Sequence, residues 1–270
     1  MKNFEIKDNY GIEDLLKIME ILRAPGGCPW DAEQTHESIK KSFIEETYEV
    51  IEAINQNDKD LLQEELGDVL LQVVFHAQME KEAGVFDFGN VTDGVCKKLI
   101  ERHPHVFGEI KVESTDEVLS NWDDIKRKSK GQKTQGSSMM KVPRELPALM
   151  RAQKIQSKAK KAGFDWDDMS GALDALESEI KELKAAINIG NADSVEDEFG
   201  DVLFSCVNVA RFIDVDSEEA LTRASDKFMS RFLVVEKLAA ERDIDMKNTP
   251  IEELDKLWDE AKKILVSNRE

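Results

Sequence analysis

The sequence has few of the residues that build disulfide-bonded or membrane-spanning proteins. It contains three cysteines among 270 residues, and such an odd, widely spaced set forms neither a disulfide framework nor a zinc motif. The first five residues include no apolar signal core, and no run reaches the ~18 apolar residues that suggest a membrane span. We therefore expect a cytoplasmic protein with no membrane partner.

Positive charge is also scarce. The chain has 37 lysine and arginine residues against 56 acidic ones, and its formal net charge is −19. A field of this sign repels nucleic acids and anionic membranes, so we expect no nucleic-acid partner. A polyanionic ligand is expected only where a metal ion or a local basic cluster reverses the sign of the field.

Alternating strand patterns are almost absent, whereas helical periodicity is strong along most of the chain. The sequence therefore predicts an all-α fold. The predicted helices span residues 12–24, 38–55, 60–81, 91–102, 116–128, 146–161, 172–189, 194–213, 218–242 and 250–265.

The chain divides near its middle. Residues 129–138 are polar, contain two glycines and no apolar side chain, and are typical of a flexible linker. We predict an N-terminal helical module over residues 1–128, a linker over 129–142 and a C-terminal helical module over 143–270.

The two modules share three groups of residues in the same order, which indicates an internal duplication. Glu46, Glu49, Glu65, Gly67 and Asp68 recur as Glu179, Glu182, Glu198, Gly200 and Asp201; Lys98 and Arg102 recur as Lys227 and Arg231; Trp122 and Lys126 recur as Trp258 and Lys262. We therefore predict two copies of one helical-bundle module.

The repeated carboxylates form the most informative of these groups. Glu46 and Glu49 lie beside the apolar stripe of their predicted helix, and Glu65 begins a run that is apolar on nearly all sides. Such a run predicts a buried helix, in which Gly67 suggests a close approach by another helix. Carboxylates seldom enter a core without a partner.

The short connection over residues 56–59 predicts that the two acidic helices pack antiparallel. Up to five carboxylates then face one another in the first module, and the second module repeats the pattern. All-oxygen ligands of this kind suit a hard cation, Mg²⁺ or Mn²⁺. The alternative interpretation is two solvated acidic helix faces.

The repeated basic and aromatic residues suggest a phosphate-bearing ligand. Each Lys/Arg pair has i,i+4 spacing and can grip phosphate oxygens, and each Trp/Lys pair sets an aromatic face beside a cation. The candidate ligand-binding residues are Lys98, Arg102, Trp122, Lys126, Lys227, Arg231, Trp258 and Lys262. The alternatives are solvated surface pairs and core tryptophans.

Five short strings of this sequence resemble the MazG family of all-α nucleoside triphosphate pyrophosphohydrolases: Cys28–Asp31, Glu45–Glu49, Glu64–Asp68, Val74–Ala77 and Arg102–Gly108. The resemblance implies a helical bundle assembled as a homodimer. It also implies Mg²⁺-dependent hydrolysis of nucleoside triphosphates to the monophosphate and diphosphate. The family tolerates different bases and is linked to clearing aberrant nucleotides and to nutritional stress.

The resemblance also assigns roles in the second module. It implies that Lys227 and Arg231 hold phosphates and that Trp258 contacts the nucleoside. The implied metal ligands are Glu179, Glu182, Glu198 and Asp201, matching Glu46, Glu49, Glu65 and Asp68. We expect Glu46 or Glu179 to act as general base.

One position departs from the family pattern. Ser178 stands where the first module has Glu45, so either this glutamate is dispensable in the second module or the two modules have diverged in activity. We favour the second module as the active one, because its Lys/Arg and Trp/Lys pairs are intact.

Two other classes of protein are alternatives. A ferritin-like di-iron protein uses Glu-x-x-His pairs, whereas the third position after Glu65 and after Glu198 is an aspartate. A non-catalytic acidic helical adaptor that binds a partner protein is the second alternative.

Overall fold

The computed structural model describes residues 4–110, 112, 114–115, 117–118, 121–122, 125 and 135–267. Every regular element among these residues is a helix, which confirms the all-α prediction. The helices are α1 Ile12–Arg23, α2 Pro29–Glu33, α3 Lys40–Gln56, α4 Lys59–Glu82, α5 Phe88–Arg102, α6 Pro104–Phe107, α7 Gln135–Met139, α8 Ala148–Lys161, α9 Met169–Ile189, α10 Ala192–Phe212, α11 Ser217–Glu241 and α12 Ile251–Ser267.

The chain forms two compact units, Met1–Lys126 and Arg127–Glu270. Part of the segment predicted as a linker forms helix α7, and this helix packs against α8 in the second unit. Ser138 and Val142 are buried there. Residues 129–134 of the predicted linker, and most of the helix predicted over 116–128, lie outside the described residues.

The first unit is built on a hairpin of α3 and α4. Helix α3 ends at Gln56 and is followed by Asn57, whose φ of 53° is left-handed. Asp58 caps α4 by accepting hydrogen bonds from the backbone N–H groups of Asp60 and Leu61. This connection reverses the chain, as the sequence predicts. Helix α1 packs on α4 through a core of Met19, Ile39, Val74, Phe75 and Met79.

The second unit repeats this hairpin with α9 and α10. Here Gly190 takes the left-handed conformation with a φ of 78°. Asn191 caps α10 by accepting from the N–H groups of Asp193 and Ser194. Helix α8 packs on α10, where the buried Gln156 donates a hydrogen bond of 2.8 Å to the Phe204 carbonyl.

The α11–α12 pair forms a hydrophobic core in the second unit. Its buried residues are Val235, Leu238, Ala239, Leu257 and Ala261. This core lies on the helices that carry the predicted Lys/Arg and Trp/Lys pairs, so the placement of those pairs depends on it.

The hairpins are less buried than the sequence predicts. Leu66 is 52% and Leu70 38% exposed on α4, so the prediction of a helix buried on all sides is wrong for this face. A Cβ placed on Gly67 meets no atom within 4 Å, so no described residue supplies the close helix that the sequence predicts there. A single hairpin buries one face of α4 and leaves the other open.

None of the described helices has the length and apolar character required to cross a membrane.

Candidate metal centre and nucleotide site

The α3–α4 hairpin brings the predicted carboxylates together. Oxygen atoms of Glu46, Glu49 and Glu65 all lie within 4.8 Å of one another. Glu65 is only 8% exposed, as expected for the polar stripe of α4 that faces α3. We call these three residues, with Asp68, the first carboxylate cluster.

The carboxylates of the first cluster repel one another when they are ionised. Burial raises the pKa of Glu46, and Asp68 raises it further, followed by contact with Glu49 and the charge of Glu45. Burial likewise raises the pKa of Glu65, with Glu49 as the next cause. Carboxylates held this close favour either a shared proton or a cation between them.

The second unit holds the same arrangement. Oxygen atoms of Glu179, Glu182 and Glu198 lie within 4.8 Å of one another. Burial raises the pKa of Glu179, and the charges of Glu182, Asp201 and Glu198 raise it further. Asp201 is exposed but close enough to act on Glu179. These four residues form the second carboxylate cluster.

The donor atoms of both clusters fit a hard divalent cation. Each cluster offers only carboxylate oxygens, which suit Mg²⁺ or Mn²⁺ better than softer metals. Burial and the neighbouring carboxylates raise the pKa of Glu46, Glu65 and Glu179, so the fully ionised clusters carry closely spaced negative charges that repel one another. A cation would offset this repulsion.

The two residues of the first predicted Lys/Arg pair differ in their exposure to solvent. Lys98 is exposed, but Arg102 is only 8% exposed, and its Cζ lies 5.3 Å from the centre of the Trp122 ring. The Arg102 Nε has no hydrogen-bond partner among the described residues. The cation beside Trp122 is therefore Arg102, while the predicted partner Lys126 lies outside the described residues.

The second module repeats this cation–π contact. The Cζ of Arg231 lies 5.7 Å from the centre of the Trp258 ring, which also packs against Phe228. Lys262 pairs with Asp259 at 2.5 Å, and Lys227 is exposed on α11. A contact between an arginine and a tryptophan thus recurs in both modules.

A histidine pair of the first module was missed by sequence analysis. The Nδ1 atoms of His36 and His76 lie 2.6 Å apart, and His36 Nε2 lies 2.7 Å from Glu80 Oε1. His76 and Glu80 have i,i+4 spacing on α4, which is a usable signal, but His36 comes from the loop before α3. The second module has no histidine at the matching positions.

Ser178 also has a role that spacing alone did not indicate. Its hydroxyl donates a hydrogen bond of 3.0 Å to Glu182 Oε1 within the second cluster. The matching Glu45 adds a negative charge to the first cluster instead. The two clusters therefore share their carboxylates but differ in the neighbour at this position.

Comparison with known proteins supports the duplication. Residues 34–107 and 169–233 each match the MazG nucleotide pyrophosphohydrolase domain. These two segments include both carboxylate clusters and both Lys/Arg pairs.

Full-length relatives agree with this assignment. A nucleoside triphosphate pyrophosphohydrolase/pyrophosphatase MazG of Thermotoga maritima is 47% identical over 250 residues, which cover 93% of this chain and 95% of the relative. A nucleoside triphosphate pyrophosphohydrolase of Escherichia coli strain K12 is 44% identical over 255 residues, covering 93% and 97%. The uncharacterized protein YabN of Bacillus subtilis is 46% identical over 247 residues, covering 91% of this chain and 50% of YabN. The two copies of the domain and the length of these matches show that the chain belongs to the MazG nucleotide pyrophosphohydrolase family.

Proposed function

We propose that this protein hydrolyses nucleoside triphosphates to nucleoside monophosphates and diphosphate, with broad base specificity, at its carboxylate clusters. The observation that carries the proposal is the duplicated hairpin, which sets three carboxylates within 4.8 Å in each module of a chain that belongs to this family. The names of the full-length relatives favour an enzyme over a non-catalytic adaptor.

We further propose Mg²⁺ as the cofactor, with Mn²⁺ as a substitute. The ligands would be Glu46, Glu49, Glu65 and Asp68 in the first module and Glu179, Glu182, Glu198 and Asp201 in the second. Such an ion neutralises phosphate charge and lowers the pKa of a bound water. The all-oxygen donor set supports this choice.

The protein's own residues have distinct proposed tasks. Glu46 or Glu179, where its carboxylate is not fully engaged by the metal, would accept a proton from the attacking water as general base. The positively charged residues on α5 and α11 bind phosphate oxygens, and the two tryptophans contact the nucleoside. Those residues are Lys98, Arg102, Lys227 and Arg231 with Trp122 and Trp258, and Lys126 and Lys262 are further candidates.

The exposed apolar faces of the hairpins support a homodimer. On α3 and α4 these faces include Ile44, Tyr48 and Leu66, and on α9 and α10 they include Ile180 and Phe199. Large apolar patches on a soluble surface commonly mark protein–protein interfaces. We also propose a cytoplasmic location, in keeping with three cysteines that form no disulfide.

The central experiment incubates the protein with Mg²⁺ and a panel of nucleoside triphosphates and identifies the products by ion-exchange chromatography. We expect monophosphate and diphosphate in equal amounts. Release of nucleoside diphosphate and phosphate instead would contradict the proposed reaction, and absence of turnover with every triphosphate would favour the adaptor.

The same assay tests the proposed ligands. We expect that combining Glu65→Gln, Asp68→Asn, Glu198→Gln and Asp201→Asn in one chain lowers turnover about 100-fold or more, because even the hydrogen-bond partners of metal ligands contribute about 10–100-fold. Each pair tested separately assigns activity to a module. The matched controls Glu52→Gln and Glu196→Gln remove charge from α3 and α10 outside the clusters, and unchanged turnover in the fourfold variant would refute the site.

A further inference from the structure

The two carboxylate clusters are held differently. In the first cluster Glu49 contacts both Glu46 and Glu65. In the second cluster the matching Glu182 accepts a hydrogen bond from Ser178 Oγ at 3.0 Å. The hydroxyl of Ser178, which is not a member of the cluster, therefore holds the Glu182 carboxylate.

We propose that Ser178 is a positioning residue that orients Glu182 for a divalent cation in the second module. The proposal rests on the proposed metal-dependent function of that cluster. One oxygen of Glu182 is engaged by the hydroxyl, so the side chain is ordered before a cation arrives, and less conformational freedom is lost on binding.

The location of Ser178 makes this role specific. It lies one turn before Glu182 on α9, where i,i+4 side chains face one another, and it directly precedes Glu179. At the matching position of the first module, Glu45 offers no hydroxyl donor and adds a negative charge. The departure from the family pattern at Ser178 thus exchanges a charge for an orienting hydrogen bond.

The consequence is that the two modules bind the same cation by different means. The first cluster attracts it with one more negative charge, and the second offers a ligand that is already oriented. Partners that orient metal ligands typically contribute about 10–100-fold in affinity. Because Ser178 and Glu182 are both exposed, we expect the lower end of this range.

The test measures Mn²⁺ binding to the full chain by the electron paramagnetic resonance signal of the free ion. The parent protein carries Glu65→Gln and Asp68→Asn, so that binding reports the second cluster. We expect Ser178→Ala to weaken Mn²⁺ binding about 10-fold and Ser178→Thr, which keeps the hydroxyl, to restore it. Ser225→Ala is the matched control, since that hydroxyl donates to the Leu221 carbonyl on α11.

Turnover gives a second readout. In Ser178→Ala the Mg²⁺ concentration for half-maximal activity should rise about 10-fold, while turnover at saturating Mg²⁺ stays unchanged. Equal Mn²⁺ affinity of Ser178→Ala and the parent would overturn the proposal, as would equal weakening by alanine and threonine. A parent that binds no Mn²⁺ at all would contradict both the proposed metal centre of the second module and the role of Ser178. A parent that binds Mn²⁺ as tightly as Ser178→Ala would contradict the role of Ser178 alone.

Discussion

At the scale of single residues, the ion pair of Asp165 and Arg211 ties the loop before α9 to the end of α10. Both Nη atoms of Arg211 donate to the Asp165 carboxylate, and both side chains are largely buried. The hydrogen bonds from Arg211 are the largest cause that lowers the pKa of Asp165. This pair therefore contributes stability that depends on the ionised carboxylate.

We expect Asp165→Asn to lower the free energy of unfolding by about 1.5–3 kcal/mol at neutral pH, as for hydrogen bonds to charged groups. The pKa of Asp165 is lower in the folded state, so its contribution is complete above the ordinary value of 3.8 and is lost as the pH falls through the folded value. Urea denaturation at several pH values measures both effects. Asp259→Asn, which breaks the exposed pair with Lys262, should leave stability unchanged; an equal loss in both variants would contradict this account.

The histidine pair gives the first module a separate pH dependence. Burial lowers the pKa of His76, and the adjacent His36 lowers it further. Protonation is therefore easier in the unfolded chain, and stability falls as the pH drops below the ordinary value of 6.5 towards the lowered one.

We expect the thermal midpoint to fall between pH 7.5 and pH 5.5, and the fall to be smaller in His76→Gln because the replaced side chain does not titrate. Differential scanning calorimetry across this range measures the slope. His105→Gln serves as the control and should keep the slope of the parent. A slope that is identical in the parent and in His76→Gln would refute the assignment.

At the scale of elements, the two hairpin connections offer an internal comparison. Asn57 and Gly190 take the same left-handed conformation at the ends of α3 and α9, and each is followed by a capping residue. Glycine adopts this conformation without a steric cost, and asparagine tolerates it better than most residues.

We expect Gly190→Ala to lower the free energy of unfolding by about 1–2 kcal/mol, the cost of a left-handed conformation for an L-residue with a Cβ. Asn57→Gly should be neutral or slightly stabilising, since it relieves the same cost. Urea denaturation compares the two. A Gly190→Ala variant as stable as the parent would contradict the prediction, because it would mean that the left-handed conformation at this position is not required for the stability of the hairpin.

The helices and the carboxylate clusters were predictable because they depend on local patterns. The spacing of Glu46, Glu49 and Glu65, joined by a short connection, is enough to bring these three side chains together. The contact of Arg102 with Trp122 was not predictable, because the partners are distant in sequence and the expected neighbour of the tryptophan was Lys126. Distance along the chain, rather than residue type, limited the prediction.

Helical periodicity also failed to separate two kinds of apolar surface. Leu66 and Leu70 continue the apolar pattern of Val74 and Phe75 on α4, yet the former pair is exposed and the latter pair is buried. A surface that meets another copy of the chain needs the same apolar residues as a core. The pattern alone therefore predicted burial at Leu66 and Leu70, which the described residues leave exposed.

At the scale of the whole molecule, the proposed homodimer makes a direct prediction. We expect Leu66→Glu together with Ile180→Glu to shift the protein from dimer to monomer, because charges in an apolar interface lose hydration without gaining a partner. Sedimentation velocity measures the mass. Val85→Glu places the same charge on an exposed apolar residue of the α4–α5 turn and should leave the dimer intact; a dimer that survives the double substitution would exclude these faces.

The αL connections also bear on the order of folding. Every carboxylate of a cluster comes from one uninterrupted stretch of chain, from Glu46 to Asp68 or from Glu179 to Asp201. Contacts between residues close in sequence cost little loop entropy and tend to form early. We therefore expect the acidic clusters to assemble early in folding, so that the mutual repulsion of their charges opposes folding at its start.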